Sequence, residues 1–351
     1  MKNRALYNRI NYFRKLLMLS VTRHIGHSTD SKNFESSEIK KLLIIRPNKR
    51  LGNLLLITPL LQVVEELFPS SKIDLFVRGG LANVVFERYK NISHIISLPK
   101  KPFKELIKYF KVFISLKREK YDLVINVDPN SSSGRLATRI AKGKIVFYNE
   151  ENDDLKNSLA DYIHFAKFPV YNFLHFLKQR SFIEYSKDIP LLDIKLSEAE
   201  SANGKTILNN IVPSTKKTIG IYTYATGDKC YTKEWWGALY LKLKTEYEQK
   251  YNIVEILPIE NESQIDFAAP SYYSTDIREI ASVISNMEVY FGADCGIMHL
   301  ASVAKTQTIG LFSTTSSDLY RPYGNGSIAI ETNGMIVEEV FQQFKKNFIG
   351  S

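Results

Sequence analysis

Residues 291–312, FGADCGIMHLASVAKTQTIGLF, decide the fold of this 351-residue chain. The β-branched and aromatic run at 289–292 predicts a strand, and apolar residues at helical spacing begin just past Gly296. The apolar run at 308–312 predicts a second strand. A helix that begins at the carboxyl end of a strand favours an anion, because its first N–H groups are unpaired and its dipole is positive there. The stretch therefore predicts a strand, a phosphate-binding turn and a helix.

Short apolar runs alternate with helical segments on both sides of this stretch. Further predicted strands lie at 42–46, 73–77, 94–97, 123–127, 144–147, 218–222 and 253–257. Predicted helices lie at 54–67, 103–116, 134–141, 156–185, 234–249, 277–285 and 336–348. Repeated β-α units are typical of an α/β protein with parallel, doubly wound sheets. Because the alternation pauses at an extended segment, 189–196, we expect two Rossmann-like domains, 39–188 and 189–351.

Composition and charge narrow the class of protein. With 44% apolar residues, the chain can form two cores. Cys230 and Cys295 are far apart and lack metal-type spacing, so we expect free thiols in a reducing compartment. The net charge of +10 suits nucleic acid, an anionic membrane or a phosphorylated substrate. Nucleic acid is disfavoured because the basic residues are not interleaved with stacking aromatics in a recognisable module.

Residues 1–23 predict a basic amphipathic helix, followed by a polar linker that ends at residue 38. The segment has six basic residues and no acidic one. Its longest apolar run, 16–19, is far below the ~20 residues that a spanning helix needs. We expect either a helix on the inner face of the anionic cytoplasmic membrane or a helix packed on its own domain. The apolar residues at helical spacing are Leu6, Ile10, Phe13 and Leu17, and the basic residues that would meet lipid are Lys2, Arg4, Arg9, Arg14 and Lys15.

Three ordered segments carry a family resemblance, although the usual GxGxxG and GxxxxGK[ST] phosphate motifs are absent from the sequence. The segments are KLLIIRPNKRLGNLLLITPLLQVVEELFPSSKIDLFV at 41–77, KCYTKEWWGAL at 229–239, and the stretch at 291–312. Together they resemble the ADP-heptose:lipopolysaccharide heptosyltransferases of glycosyltransferase family 9, from about residue 39 to residue 324. The resemblance implies a GT-B fold, in which two Rossmann-like domains face a cleft. It also implies inverting transfer of a heptose or related sugar from a nucleotide-diphosphate donor to an anionic, lipid-linked core saccharide.

On the donor side, the resemblance places Asp294, Cys295, Gly296 and His299 in the family's diphosphate-binding turn. Cys295 stands where a threonine or serine is usual, and backbone N–H groups would still bind the anion. Lys229 matches the family's lysine, which would neutralise charge on the departing diphosphate. Glu260 or Glu262, after the strand at 253–257, is a candidate acceptor of ribose hydroxyl hydrogen bonds. The resemblance implies no resident cofactor, and the sequence neither requires nor excludes a divalent metal.

On the acceptor side, the first segment departs from the family. The active heptosyltransferases have an aspartate after the glycine of the RLG turn, thought to be the general base, whereas Asn53 follows Gly52 here. An amide cannot accept a proton at neutral pH. Three explanations remain open: Asn53 orients the acceptor while Asp128, just after the strand at 123–127, takes the proton; transfer needs no strong base; or the chain only binds a nucleotide sugar or glycolipid. The proposed acceptor-binding residues are Arg46, Lys49, Arg50 and Gly52, with Arg78 completing a basic rim.

Overall fold

The computed structural model describes residues 20, 22, 26–29, 35–100, 105–180, 185 and 187–348. The predicted basic helix at 1–23 therefore lies outside the described residues, apart from Ser20 and Thr22. No helix in the described part of the chain combines the length and the apolar character needed to cross a bilayer.

The first sheet has five parallel strands in the order β3-β2-β1-β4-β5. Its strands are rich in buried β-branched and aliphatic residues, as strands covered on both faces require. The strands are β1 (Lys41–Ile45), β2 (Lys72–Arg78), β3 (Ile92–Leu98), β4 (Leu123–Asn126) and β5 (Ile145–Tyr148). The helices are α1 (Leu51–Leu55), α2 (Thr58–Leu67), α3 (Leu81–Val85), α4 (Leu106–Arg118), α5 (Ser132–Ala141), α6 (Asp153–Ser158) and α7 (Phe168–Lys178).

The second sheet has six parallel strands in the order β11-β10-β9-β6-β7-β8. Helix α8 (Glu198–Ile211) leads into it through a capping box, in which Ser197 and Glu200 satisfy each other's backbone N–H groups. The strands are β6 (Lys217–Tyr222), β7 (Tyr251–Ile256), β8 (Ser271–Tyr272), β9 (Val289–Ala293), β10 (Gln307–Phe312) and β11 (Ile328–Glu331). The helices are α9 (Lys233–Tyr247), α10 (Ile277–Ile284), α11 (Gly296–Val303), α12 (Ser317–Tyr320) and α13 (Val337–Asn347).

Both sheets have the doubly wound order, which confirms the predicted fold class. In each sheet the strand order reverses at one point, between β1 and β4 and between β6 and β9. In open α/β sheets, ligands bind in the crevice at the carboxyl ends of the strands beside this switch point. Asp128 follows β4 and Asp294 follows β9, so each sheet places an aspartate at its switch point.

The two sheets share a buried core. The largest apolar cluster contains Leu42 and Ile44 of the first sheet together with Met298 and Leu300 of α11. A second cluster lies between the second sheet and helices α9 and α13. Helix α11 therefore packs on both halves, and its position ties the two sheets together.

Two predicted helices are wrong in their extent. The single helix expected at 156–185 is two helices, α6 and α7, separated by turns, and α7 begins next to Pro169, whose fixed φ suits a first turn. The helix expected at 54–67 begins at Leu51 and breaks before Thr58, where Pro59 starts α2. Each predicted strand is present with ends within two residues of the prediction, whereas β8 and β11 were not predicted.

Candidate active site

Helices α1 and α11, which belong to opposite sheets, meet at their first turns. A Cβ atom placed on Gly52 would lie 2.7 Å from Cδ2 of His299, and one on Gly296 would lie 3.4 Å from Cβ of Leu51. The missing side chain at position 52 therefore permits the close approach of the two turns. The RLG turn and the predicted diphosphate-binding turn, 240 or more residues apart in sequence, form one site.

Lys229 and Asp294, two of the predicted donor-binding residues, form an ion pair in this site. The backbone N–H of Asp294 donates to the carbonyl of Leu311 at 2.9 Å, which fixes the residue at the end of β9. The Asp294 side chain is 6% exposed, whereas that of Lys229 is 35% exposed. The lysine therefore keeps an open side from which it can reach an anion.

Cys295 occupies the N-cap position of α11, with extended backbone and no side-chain capping bond. Burial raises the pKa of its thiol to about 11, so the side chain is neutral at physiological pH. Both Cys295 and Cys230 are free. Because the thiol is neutral, an anion at this helix end would be bound by the N–H groups of the first helical turn and not by the Cys295 side chain.

His299 is buried one turn into α11. Burial, opposed by the nearby charge of Asp294, lowers the pKa of His299 to about 4, so the imidazole is neutral at pH 7. Its Nδ1 atom is buried without a hydrogen-bond partner among the described residues. The ring is thus an uncharged group that faces the joint between the two halves.

Glu260 is exposed on the loop after β7. Burial raises the pKa of Tyr222 at the end of β6, and the negative charge of Glu260 adds to this effect. Because β6, β7 and β9 are parallel, Glu260 lies on the same edge of the second sheet as the turn after β9.

Arg46, a predicted acceptor-binding residue, and Asp128, the candidate base, form a pair in the first half of the chain. Arg46 Nη1 lies 3.4 Å from Oδ2 of Asp128, which joins the loops that follow β1 and β4. Burial lowers the pKa of Arg46, and Asp128 offsets part of this effect. Arg46 Nε is buried without a hydrogen-bond partner in the described part of the chain, so this guanidinium has a donor to spare.

The other acceptor-side candidates differ in exposure. Lys49 and Arg50 are exposed, Gly52 is buried, and Asn53 is half-buried. The Asn53 side chain makes no hydrogen bond to the described residues, so its amide is available to a ligand. The carboxamide nitrogen can donate and the oxygen can accept, but neither can remove a proton.

A cavity of about 440 Å³ opens next to Arg46 and Asp128. Its wall also includes Arg135, whose Nε donates to the carbonyl of Pro129 at 2.6 Å, and the rings of Tyr148 and Phe165. The lining also includes the carboxylates of Glu150 and Glu151, so the cavity combines acidic, basic and aromatic groups. Such a lining suits a saccharide, because its polar groups can hydrogen-bond hydroxyls while its rings pack on the sugar. The predicted base candidate and one predicted acceptor-binding residue thus share one cavity.

Tyr320 is a site residue that the sequence did not reveal. Burial raises its pKa, Asp294 adds to the rise, and Arg46 and Arg50 oppose it. Its ring centroid lies 6.0 Å from Nζ of Lys229 and 6.2 Å from the ring centroid of His299. Tyr320 therefore stands between the donor-side and acceptor-side groups. Its only sequence signal was an aromatic residue soon after a strand.

Among the described residues, no three histidine, cysteine, aspartate or glutamate side chains cluster as a metal site would require. The candidates brought together are Arg46 with Asp128, Lys229 with Asp294, and Gly52 with His299.

Solved structures share this architecture. A glycosyl transferase family 9 protein from Veillonella parvula DSM 2008 aligns with a TM-score of 0.72 and 16% identity, over 92% of this chain and 100% of that chain. E. coli heptosyltransferase WaaC with ADP aligns with a TM-score of 0.65 and 17% identity, over 88% and 99%. E. coli ADP-heptose lps heptosyltransferase II aligns with a TM-score of 0.62 and 14% identity, over the same shares. The likeness shows the GT-B fold.

Family membership comes from the sequence profile. No curated protein sequence matches the chain. Residues 109–342 match glycosyltransferase family 9 (heptosyltransferase). The chain therefore belongs to glycosyltransferase family 9 and is a glycosyltransferase.

Proposed function

We propose that this glycosyltransferase transfers a heptose or related sugar, with inversion, from ADP-heptose to a lipopolysaccharide or lipooligosaccharide core acceptor. The proposal rests on one observation: the first turn of α11 and the RLG turn face each other in one site, where Lys229 is paired with Asp294. The diphosphate would lie on the first N–H groups of α11, and Lys229 would stabilise the charge that develops as it departs. Residues 39–188 would bind mainly acceptor, and residues 189–351 mainly donor.

Asp128 is the proposed general base. It lies at the switch point of the first sheet and lines the cavity beside Arg46. The acceptor hydroxyl would attack the anomeric carbon as the bond to the diphosphate breaks, and its proton would pass to a carboxylate oxygen of Asp128. Arg46 would hold that carboxylate in place, and Asn53 would orient the hydroxyl.

A second candidate function is binding without catalysis. Asn53, at the position of the family's aspartate, is the observation that favours it. In that case the chain would hold a nucleotide sugar or glycolipid in the same site and release it unchanged.

Membrane attachment is a separate part of the proposal. Residues 1–23 would bring the enzyme to the inner face of the cytoplasmic membrane without spanning it. This attachment would place the site near a lipid-linked acceptor.

A thermal-stability screen of nucleotide sugars tests the donor, because a ligand that binds the folded state raises the melting temperature. We expect ADP-heptose and ADP to stabilise the chain more than UDP and GDP sugars. Stabilisation followed by sugar transfer to a core acceptor supports the enzyme. Stabilisation with no transfer to any acceptor supports the binding protein, and no stabilisation by any ADP compound contradicts the proposed donor.

A further inference from the structure

Helix α4 leaves an apolar stripe uncovered. Its solvent side carries Leu106, Ile107, Phe110 and Ile114, which are 48%, 74%, 62% and 52% exposed. Residues three or four apart lie on the same face of a helix, so these four side chains form one continuous stripe. A single apolar residue on a surface is ordinary, but a continuous row that includes a phenylalanine marks a contact surface.

The face of α4 next to the stripe is firmly packed. Phe113 and Leu116 are buried against the first sheet, and the ring of Phe113 lies 5.8 Å from that of Phe76 in β2. The helix is therefore held in place by its inner face. The outer stripe is not needed for that packing.

Basic side chains accompany the stripe. The helix has no acidic residue between 106 and 118, and its basic residues are Lys108, Lys111, Lys117 and Arg118. Lys111 falls one turn after Ile107, and Arg118 falls one turn after Ile114, so both flank the stripe. Apolar residues flanked by lysine and arginine match a surface of anionic headgroups above acyl chains.

The stripe begins close to the predicted basic rim of acceptor-binding residues. A cavity of about 390 Å³ separates the start of α4 from the end of β2 and is lined by Gly79, Lys100 and Lys108. A Cβ atom on Gly79 would lie 3.8 Å from Cβ of Lys49. Helix α4 thus starts at the edge of the sheet where the loops with Arg46 and Lys49 lie.

We propose that α4 is a membrane-contact surface, in which the stripe enters the headgroup region of an anionic bilayer and the flanking basic residues bind phosphate groups of its lipids. The chemistry that selects this partner is the combination of apolar and basic side chains on the outer surface of α4. The acidic residue just before the helix, Glu105, is already paired with Lys108 at 2.8 Å. The functional role of this contact rests on the proposed function, in which the acceptor is lipid-linked. A bilayer bound at α4 would let the saccharide of that acceptor project toward the basic rim. This surface is distinct from residues 1–23.

Vesicle sedimentation with the full-length chain tests the proposal. Vesicles contain phosphatidylethanolamine and phosphatidylglycerol in equal parts, and no sugar substrate is present. We expect Ile107→Glu/Phe110→Glu to lower the partition coefficient at least tenfold. Lys111→Glu/Arg118→Glu should also lower it, with a difference that shrinks as salt rises. The matched control is Leu241→Glu on α9, which is 64% exposed in the other half and should bind as the parent does.

Two results would overturn the proposal. One is parental vesicle binding by both α4 variants. Another is a parent chain that light scattering shows to be a dimer and that Phe110→Glu makes monomeric, since the stripe would then be a subunit interface. Unchanged melting temperatures and unchanged stabilisation by ADP show that the variants are folded. Because binding is read without sugar transfer, a failure of the proposed enzymatic function leaves this result intact.

Discussion

Gly52 of α1 lies against the imidazole of His299 in α11, so closely that an added Cβ would be 2.7 Å from Cδ2 of the ring. The two residues come from opposite halves of the chain. Their contact sets how near the RLG turn comes to the turn after β9.

Gly52→Ala should push these turns apart, because the ring of His299 is buried and cannot swing into solvent. A displacement of this kind misaligns the two substrates, so we expect kcat/KM to fall roughly 10- to 100-fold. The matched control is Gly80→Ala, where no atom lies within 4 Å of the new Cβ. Steady-state kinetics with equal losses in the two variants would contradict the role of this contact.

Asp128→Asn tests the proposed base. We expect turnover to fall by roughly 10²- to 10⁴-fold, as is typical when a general base is lost, while donor affinity stays nearly constant. Donor binding is followed by the shift in melting temperature and turnover by sugar transfer. Unchanged turnover would remove Asp128 from proton transfer and leave it as a partner of Arg46.

Asn53→Asp restores a carboxylate at the family's position. If Asp128 is the base, this change should preserve or modestly raise the rate. A large gain, combined with no loss in Asp128→Asn, would mean that the natural chain transfers sugar without a base. Absence of transfer from every variant, despite donor binding, would favour the binding protein.

Lys229→Met should separate electrostatic catalysis from stability. Loss of a charge that stabilises the transition state should lower kcat roughly 10²- to 10³-fold. It also leaves the buried Asp294 carboxylate unpaired, which should cost about 1–2 kcal/mol in the free energy of unfolding, since the lysine is partly solvated. Adding Asp294→Asn should recover stability but not kcat. Recovery of both would contradict a direct role for Lys229.

Two buried histidines should make stability fall in acid. His164 is held neutral, since Nδ1 accepts from the N–H of Ala166 at 3.2 Å while Nε2 donates to the carbonyl of Arg321 at 2.9 Å. Burial lowers the pKa of His164 and of His299 to about 4 from 6.5. Between these values the unfolded chain binds protons that the folded chain does not, so stability is lost as pH falls from about 6.5 to 4, by up to about 3 kcal/mol per histidine.

Denaturant unfolding across that pH window measures the effect. His299→Gln should flatten the dependence of the unfolding free energy on pH. Equal slopes in the parent and in His299→Gln would show that His299 does not carry the effect.

Local sequence determined the order of the strands and helices and most of their bounds. The alternation of apolar runs and helical segments predicted both doubly wound sheets, since strand and helix periodicities depend on neighbours in the chain. It also predicted the strand-turn-helix that places Asp294 and Gly296 at a sheet edge. The long aromatic segment at 156–185 misled the prediction, because periodicity alone did not reveal the turns before Pro169.

Tertiary structure decided which residues share a site. The pairing of Arg46 with Asp128 follows from the adjacency of β1 and β4, and the packing of Gly52 on His299 follows from the docking of the two halves. Tyr320 lies near Lys229 and His299 only because the chain returns to the cleft after β10. The apolar face of α4 likewise could not be recognised from its sequence, because a helix has a buried and an exposed stripe only after it has packed on a sheet.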